Sequence, residues 1–308
     1  MKRTVSIGAQ NFAVMREMND FLVDKSRFIS DWWDGRDIVT LITRPRRFGK
    51  SLCLSMVKSF FSLDYAGRSD LFDGLEIFKG EDGERFRSLQ GTYPVIYLSF
   101  ADISSTTFQE AKNRVVYHLK ELFEDFEDLR EETPLLESEN AVWTGLYAQK
   151  PDNTVVSMSL KMLSKYLYRH YGKKPIILLD EYDAPLNAAY VNGYWDEMVQ
   201  FQRDFFSALL KNNEYFERAL LTGITRAAKE SIFSGLNNLE VVSIISEKYQ
   251  TAFGFTEDEV VAALQEFHLE KNFEKVKAWY DGFTIGSRSD IYNPWSITKY
   301  RRLCTEGG

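Results

Sequence analysis

Two rhythms of apolar and polar residues run along the chain. Short, β-branched apolar runs occur at residues 38–43 (IVTLIT), 93–100 (YPVIYLSF), 176–179 (IILL), 218–222 (RALLT) and 240–245 (EVVSII), and each predicts a strand. Between them the spacing lengthens to three and four residues. Cys53, Met56, Val57 and Phe60 fall on one helical face, as do Val156, Leu160, Leu163 and Leu167, and Met198, Phe201, Phe205 and Leu209. A further helix is expected from about Thr107 to Leu122. Strands alternating with helices predict βαβ units and therefore an α/β protein built on a parallel sheet. Beyond residue 250 the pattern turns helical. Thr256 and Glu259 form a capping box that opens a helix through Phe267, and another is expected over Lys271 to Tyr280. The organisation read from this is a core over residues 1–250 and a small C-terminal helical subdomain over 251–308. Residues 121–155 carry the weakest pattern and read as the least ordered stretch.

Composition narrows the class. A chain of 308 residues that is 44% hydrophobic, with 6 Trp, 16 Tyr and 23 Phe, has the material for a packed core and is not disordered. No apolar run approaches about 18 residues, and no apolar stretch follows the basic N-terminus, so a cytoplasmic protein with no membrane partner is expected. Two cysteines, Cys53 and Cys304, read as buried thiols in a reducing compartment. His118, His170 and His268 are far apart, which argues against metal catalysis by a histidine cluster. The net charge of −7 is uneven. Residues 121–139 hold nine acids and one base and read as a solvated acidic segment, while Arg44, Arg46, Arg47 and Lys50 put four positive charges into seven residues. Net acidity therefore does not count against an anion-binding site.

That basic stretch sits where chemistry is expected. A phosphate-binding loop needs a strand, a turn whose backbone N–H groups surround the anion, and a helix N-terminus. It also needs a Lys for the β- and γ-phosphates and a Ser or Thr hydroxyl for Mg²⁺. Gly49-Lys50-Ser51 supplies these between a predicted strand and a predicted helix. The departure from G-x-x-x-x-G-K-[ST] is Arg44, which stands at the first glycine; either the loop starts differently or Arg44 keeps an ordinary backbone conformation. The run 176–179 ends in Asp180-Glu181. In nucleotide hydrolases such a strand lies beside the phosphate-loop strand, its Asp holds Mg²⁺ and the following Glu polarises the attacking water. The distance in sequence from Lys50 also leaves room for an intervening strand. A third run ends in Thr222-Gly223-Ile224-Thr225-Arg226, at a strand end where α/β sheets bind ligands. There Thr222 or Thr225 is a candidate sensor of the γ-phosphate, and Arg226 a candidate for stabilising charge on it. No guanine-reading N-K-x-D or T-K-x-D occurs, which favours adenine.

These motifs resemble those of the bacterial AAA-ATPase-like family. The resemblance rests on Ile7-Gly8 with Phe12, residues 23–26 (VDKS), 41–51 (LITRPRRFGKS), 178–186 (LLDEYDAPL), 222–226 (TGITR), 233–238 (FSGLNN), 253–256 (FGFT) and 292–296 (YNPWS). It includes Arg44 at the first glycine position. It implies an ASCE-type P-loop NTPase sheet with a helical or winged-helix-like C-terminal subdomain. It implies ATP held over Arg46, Arg47, Phe48, Gly49, Lys50, Ser51 and Leu52, and Mg²⁺ held by Ser51 and Asp180. Glu181 is the implied base, with Thr225 and Arg226 as sensors. Relatives of this kind act as switches, so slow hydrolysis coupled to a conformational change or to homo-oligomer assembly is expected; a non-hydrolysing nucleotide-binding scaffold is the alternative. Longer members continue into a nuclease-like domain, with nucleic acid as a further partner. Here the one E-x-K triplet, Glu110-Ala111-Lys112, falls in a predicted helix, so the chain reads as the ATPase portion alone.

Overall fold

The computed structural model describes residues 3–4, 8–224, 232–233, 235–280 and 282–306. They form two compact units that interleave along the chain: residues 1–36, 43–91 and 242–308 in unit 1, and residues 37–42 and 92–241 in unit 2. The sequence boundary near 250 falls inside unit 1.

The parallel sheet belongs to unit 2. Its strands are β1 (Val39–Thr43), β2 (Val95–Ser99), β3 (Ile176–Asp180), β4 (Arg218–Gly223) and β5 (Leu239–Val242), so all five predicted strands are present. They run in the order β2-β3-β4-β1-β5, all parallel. The molecule is thus an α/β protein with a P-loop NTPase-type sheet flanked by helices. β3 does not lie directly beside β1; β4 is inserted between them. Burial on both faces explains the uninterrupted apolar sequences of β1 and β3, in which every residue is buried.

The helices that cover the sheet follow the predicted faces. They are α5 (Phe108–Glu124), α6 (Glu137–Leu146), α7 (Asn153–Tyr171), α8 (Ala184–Asn192) and α9 (Trp195–Leu210). Val156, Leu160, Leu163 and Leu167 on α7, and Met198, Phe201, Phe205 and Leu209 on α9, are all buried in one core with Leu41, Ile96, Ile177 and Leu221. Thr107 caps α5 through a bond from the Glu110 N–H, which places the E-x-K triplet on a helix.

Unit 1 contains α1 (Phe12–Glu17), α2 (Arg27–Gly35), α3 (Lys50–Phe61) and α4 (Gly83–Leu89), followed by a C-terminal region. That region holds β6 (Phe255–Thr256), α10 (Glu257–Glu266), α11 (Phe273–Trp279), β7 (Phe283–Ile285), β8 (Arg288–Tyr292) and α12 (Pro294–Glu306). The capping box at Thr256 and Glu259 forms as expected. The antiparallel sheet β6-β8-β7 was not legible in the sequence, because its strands are two to five residues long. The VDKS motif acts as a staple. Asp24 accepts the Glu76 N–H and Ser26 the Ile77 N–H, while Lys25 lies 2.7 Å from Glu259. Burial pulls the Lys25 ammonium below its ordinary pKa, and Glu259 opposes that shift. No helix among the described residues is long and apolar enough to cross a membrane.

Eight of the nine acids in 121–139 are exposed, as expected of a solvated segment, but the stretch runs on into a helix packed on the core. Within α6, Trp143 and Leu146 are buried, and the Trp143 ring sits 4.7 Å from Phe123 and 5.5 Å from Tyr166. Glu139 is also buried; it pairs with Arg169 and accepts the Leu136 N–H at 2.8 Å. Two aromatic partners, invisible to a charge count, hold this segment down. Trp143→Ala is expected to lower stability by about 3–5 kcal/mol in urea unfolding. A loss under about 0.5 kcal/mol, typical of an exposed position, would mean that the segment is not part of the core.

Candidate functional site

The predicted residues fall into two clusters, one in each unit. In unit 1 the chain leaves β1 at Thr43 and enters the loop from Arg44 to Gly49, which opens α3. Cys53, Met56, Val57 and Phe60 anchor α3 by its buried face, as their spacing predicted. Gly49 is the N-cap with φ +84° and has no side chain with which to cap the helix. The first N–H groups of a helix have no intrahelical acceptor, so this N-terminus is suited to an anion. Arg47 is also left-handed, at φ +68°. Left-handed residues interspersed in a loop turn successive N–H groups toward one side, the geometry of an anion nest. A Cβ built at Gly49 would meet nothing within 4 Å, so open space lies over the turn. Lys50 Nζ donates to the Arg44 and Pro45 carbonyls at 3.1 and 3.0 Å, which curls the loop around a positive charge. These features fit a polyphosphate.

Arg44 resolves the departure from the usual pattern. It is not among the left-handed residues, so no glycine is needed there. Its side chain is fully buried and faces away from the anion role suggested by the charge count. The guanidinium donates to the carbonyls of Thr43 (3.0 Å), Val242 (3.2 Å) and Tyr249 (3.2 Å), and it lies 5.6 Å from the Phe253 ring centroid. Burial pushes its pKa down to about 10, far enough above neutrality to keep the charge. Arg44 is therefore a charged anchor between the start of the loop and the segment following β5. Phe48 is a second anchor. Its ring is buried with Ile285 and Ile291 and lies 5.0 Å from Phe283, while its carbonyl accepts the Gly254 N–H at 3.1 Å. Phe48 thus serves the loop through its backbone and core packing. Arg46 is exposed, and exposed Arg47 stacks on Trp295 at 3.8 Å. Leu52 and Ser51 lie in the first turn of α3, both partly buried.

In unit 2 the parallel register does the positioning. Ser99 pairs with Asp180, and Leu179 with Leu221, so Asp180 and Thr222 lie level at neighbouring strand ends. Both are buried, and the Thr222 hydroxyl donates to Asp180 Oδ1. Tyr97, on β2, has its phenol pKa raised by burial, then by the charges of Asp180 and Glu181. Glu181 is partly buried and left-handed at φ +49°, a sparsely populated conformation of the kind that clusters at functional sites. The Tyr182 N–H donates to the Thr222 carbonyl at 3.0 Å, and Gln202 donates to the Tyr182 carbonyl at 3.0 Å. Asp183, which sequence reasoning had left without a role, accepts the Ile224 N–H at 3.0 Å. A Cβ at Gly223 would come within 2.5 Å of the Tyr182 ring, which requires glycine there. Of the candidate sensors, Thr222 is therefore the one placed against Asp180. Thr225 and Arg226 lie outside the described residues.

No cluster of three or more His, Cys, Asp or Glu suited to a metal occurs among the described residues. A Mg²⁺ bound largely by phosphate oxygens and water needs no such cluster; one carboxylate and a hydroxyl suffice. Asp180 and Ser51 have that chemistry.

Arg44→Gly would restore the general P-loop pattern but delete the anchor. Losing charged hydrogen bonds to buried carbonyls is expected to cost about 3–5 kcal/mol in denaturant unfolding, without any gain in nucleotide affinity. A variant as stable as the parent would contradict the anchoring role.

Comparison with known proteins gives the family of the chain. The chain is 27% identical over 298 residues to a protein of Azotobacter chroococcum mcd 1 described as "Uncharacterized protein in vnfD 5'region". The match covers 96% of this chain and 51% of that protein, so the chain spans about half the length of this relative. The family described as "Predicted AAA-ATPase" matches residues 6–233, a span that holds Arg44–Ser51, Asp180-Glu181 and Thr222. By that match over most of its length, the chain belongs to the AAA-ATPase-like family of predicted AAA-ATPases.

Proposed function

We propose that the protein binds Mg²⁺-ATP through the loop Arg46–Leu52 and hydrolyses it slowly, with nucleotide state coupled to a conformational or assembly switch. The observation that carries this reading is the loop itself: left-handed Arg47 and Gly49 before an uncapped helix, with Lys50 drawn inward. In this reading the N–H groups around Gly49 receive phosphate oxygens, and Lys50 exchanges its carbonyl partners for the β- and γ-phosphates. Ser51 and Asp180 would hold Mg²⁺, which neutralises charge developing on the phosphates. Thr222 orients Asp180 through its O–H donation. Glu181, presented by a left-handed backbone, orients water and accepts its proton. Thr225 and Arg226 are assigned to sensing and stabilising the γ-phosphate. In the same reading the protein works in the cytoplasm, as a homo-oligomer or beside a nuclease-like domain or nucleic acid.

Equilibrium ATP binding and phosphate release test this directly. Lys50→Ala should weaken Mg²⁺-ATP binding about 100-fold or more, since the lost contact is a charge-assisted bond to phosphate. Glu181→Gln should retain binding and lower phosphate release about 10²- to 10⁴-fold. A Lys50→Ala protein as active as the parent would refute the proposal. A parent that binds ATP without releasing phosphate would leave the nucleotide-binding scaffold as the function.

A further inference from the structure

The segment 292–296 lies beyond the family match at residues 6–233, and the nucleotide-binding reading gives it no task. Within unit 1 it grips the phosphate loop at two successive residues. Asn293 Nδ2 donates to the Arg46 carbonyl at 3.2 Å. The Arg47 guanidinium lies 3.8 Å from the Trp295 ring centroid. Asn293 also accepts the Trp295 and Ser296 N–H groups at 3.0 and 3.4 Å, so it caps α12 with its oxygen while holding the loop with its nitrogen. The two gripped residues flank the peptide whose φ at Arg47 is +68°. A side-chain-bearing residue leaves that conformation unless the surroundings enforce it. Arg47 has no Gly-like freedom, and these two contacts hold it from outside the loop.

We infer that Asn293 and Trp295 are positioning residues for the polyphosphate. By locking the Arg46–Arg47 peptide, they keep the loop N–H groups converging before nucleotide arrives, so binding loses less conformational entropy. They touch loop backbone and the Arg47 side chain rather than nucleotide, and they tie α12 to the state of the loop. The inference rests on the phosphate-binding reading for its purpose, but the clamp itself is measurable in protein without nucleotide.

Asn293→Asp is the discriminating variant. It keeps the oxygen that caps α12 and replaces the nitrogen donor with an oxygen facing the Arg46 carbonyl. Hydrogen exchange in nucleotide-free protein should then quicken about tenfold or more at residues 46–49 while α12 exchanges as in the parent. The Kd for Mg²⁺-ATP should rise about tenfold, close to 1.4 kcal/mol. Trp295→Ala should give the same loop signature, and Trp295→Phe, which retains a π-face for Arg47, should restore most of it. Unchanged loop exchange and unchanged ATP affinity in both Asn293→Asp and Trp295→Ala would overturn the inference. Faster exchange confined to α12 would also overturn it, by reducing Asn293 to a helix cap. Should the parent bind no ATP, the nucleotide reading fails and the positioning role with it, even if loop exchange still registers the clamp.

Discussion

The buried guanidinium of Arg44 is the constraint on which the loop from Arg44 to Gly49 depends. A charge inside a protein is costly unless its donors are satisfied. Here the terminal guanidinium nitrogens donate to backbone carbonyls of Thr43, Val242 and Tyr249, two of them about 200 residues away in sequence. The loop cannot start where it does unless the chain after β5 returns to supply those carbonyls. Phe48 repeats the logic with apolar surface, seating its ring on Ile285 and Ile291. Gly254 completes the arrangement: its φ is +80°, and a Cβ there would lie 2.5 Å from Ile291 and 3.1 Å from the Phe48 ring. The C-terminal region is thus structural support for a loop near the N-terminus, which explains why residues 43–91 and 242–308 form one unit.

The carboxylate end of β3 is held by a different device. Parallel register sets Asp180 beside Thr222, and the tight packing of Gly223 against Tyr182 fixes how far the chain advances beyond each strand. Hydrogen bonds from Tyr182 to the Thr222 carbonyl and from Ile224 to Asp183 then lock the two strand ends together. The left-handed Glu181 is the residue left over when both neighbours are fixed, and its partly buried carboxylate is presented by that strain.

Much of this was legible in sequence because it rests on local pattern. The runs at 176–179 and 218–222 could be little else than buried strands, and the spacing of Cys53, Met56, Val57 and Phe60 gave the buried face of α3. The strand–loop–helix step at Gly49-Lys50-Ser51 was legible because it combines a permissive backbone with charge at a helix start. What escaped was whatever depended on long-range pairing. A count of four basic residues did not set Arg44, which carbonyls far along the chain claim, apart from Arg46, Arg47 and Lys50. A count of nine acids described the eight that are exposed, but not Glu139, buried against Arg169, nor the neighbouring Trp143 in the core. The sheet β6-β8-β7 is too short to show a period, and the role of Asn293 depends on a partner 247 residues distant.

In the proposed binding mode Arg44 anchors the loop and leaves the phosphates to the backbone around Gly49 and to Lys50. A crystal structure with a non-hydrolysable ATP analogue and Mg²⁺ tests it most directly. The expected map has phosphate oxygens within hydrogen-bonding distance of N–H groups between Arg47 and Ser51 and of Lys50 Nζ, with Arg44 still donating to the Val242 and Tyr249 carbonyls. An Arg44 guanidinium released from those carbonyls and turned onto the phosphates would contradict it.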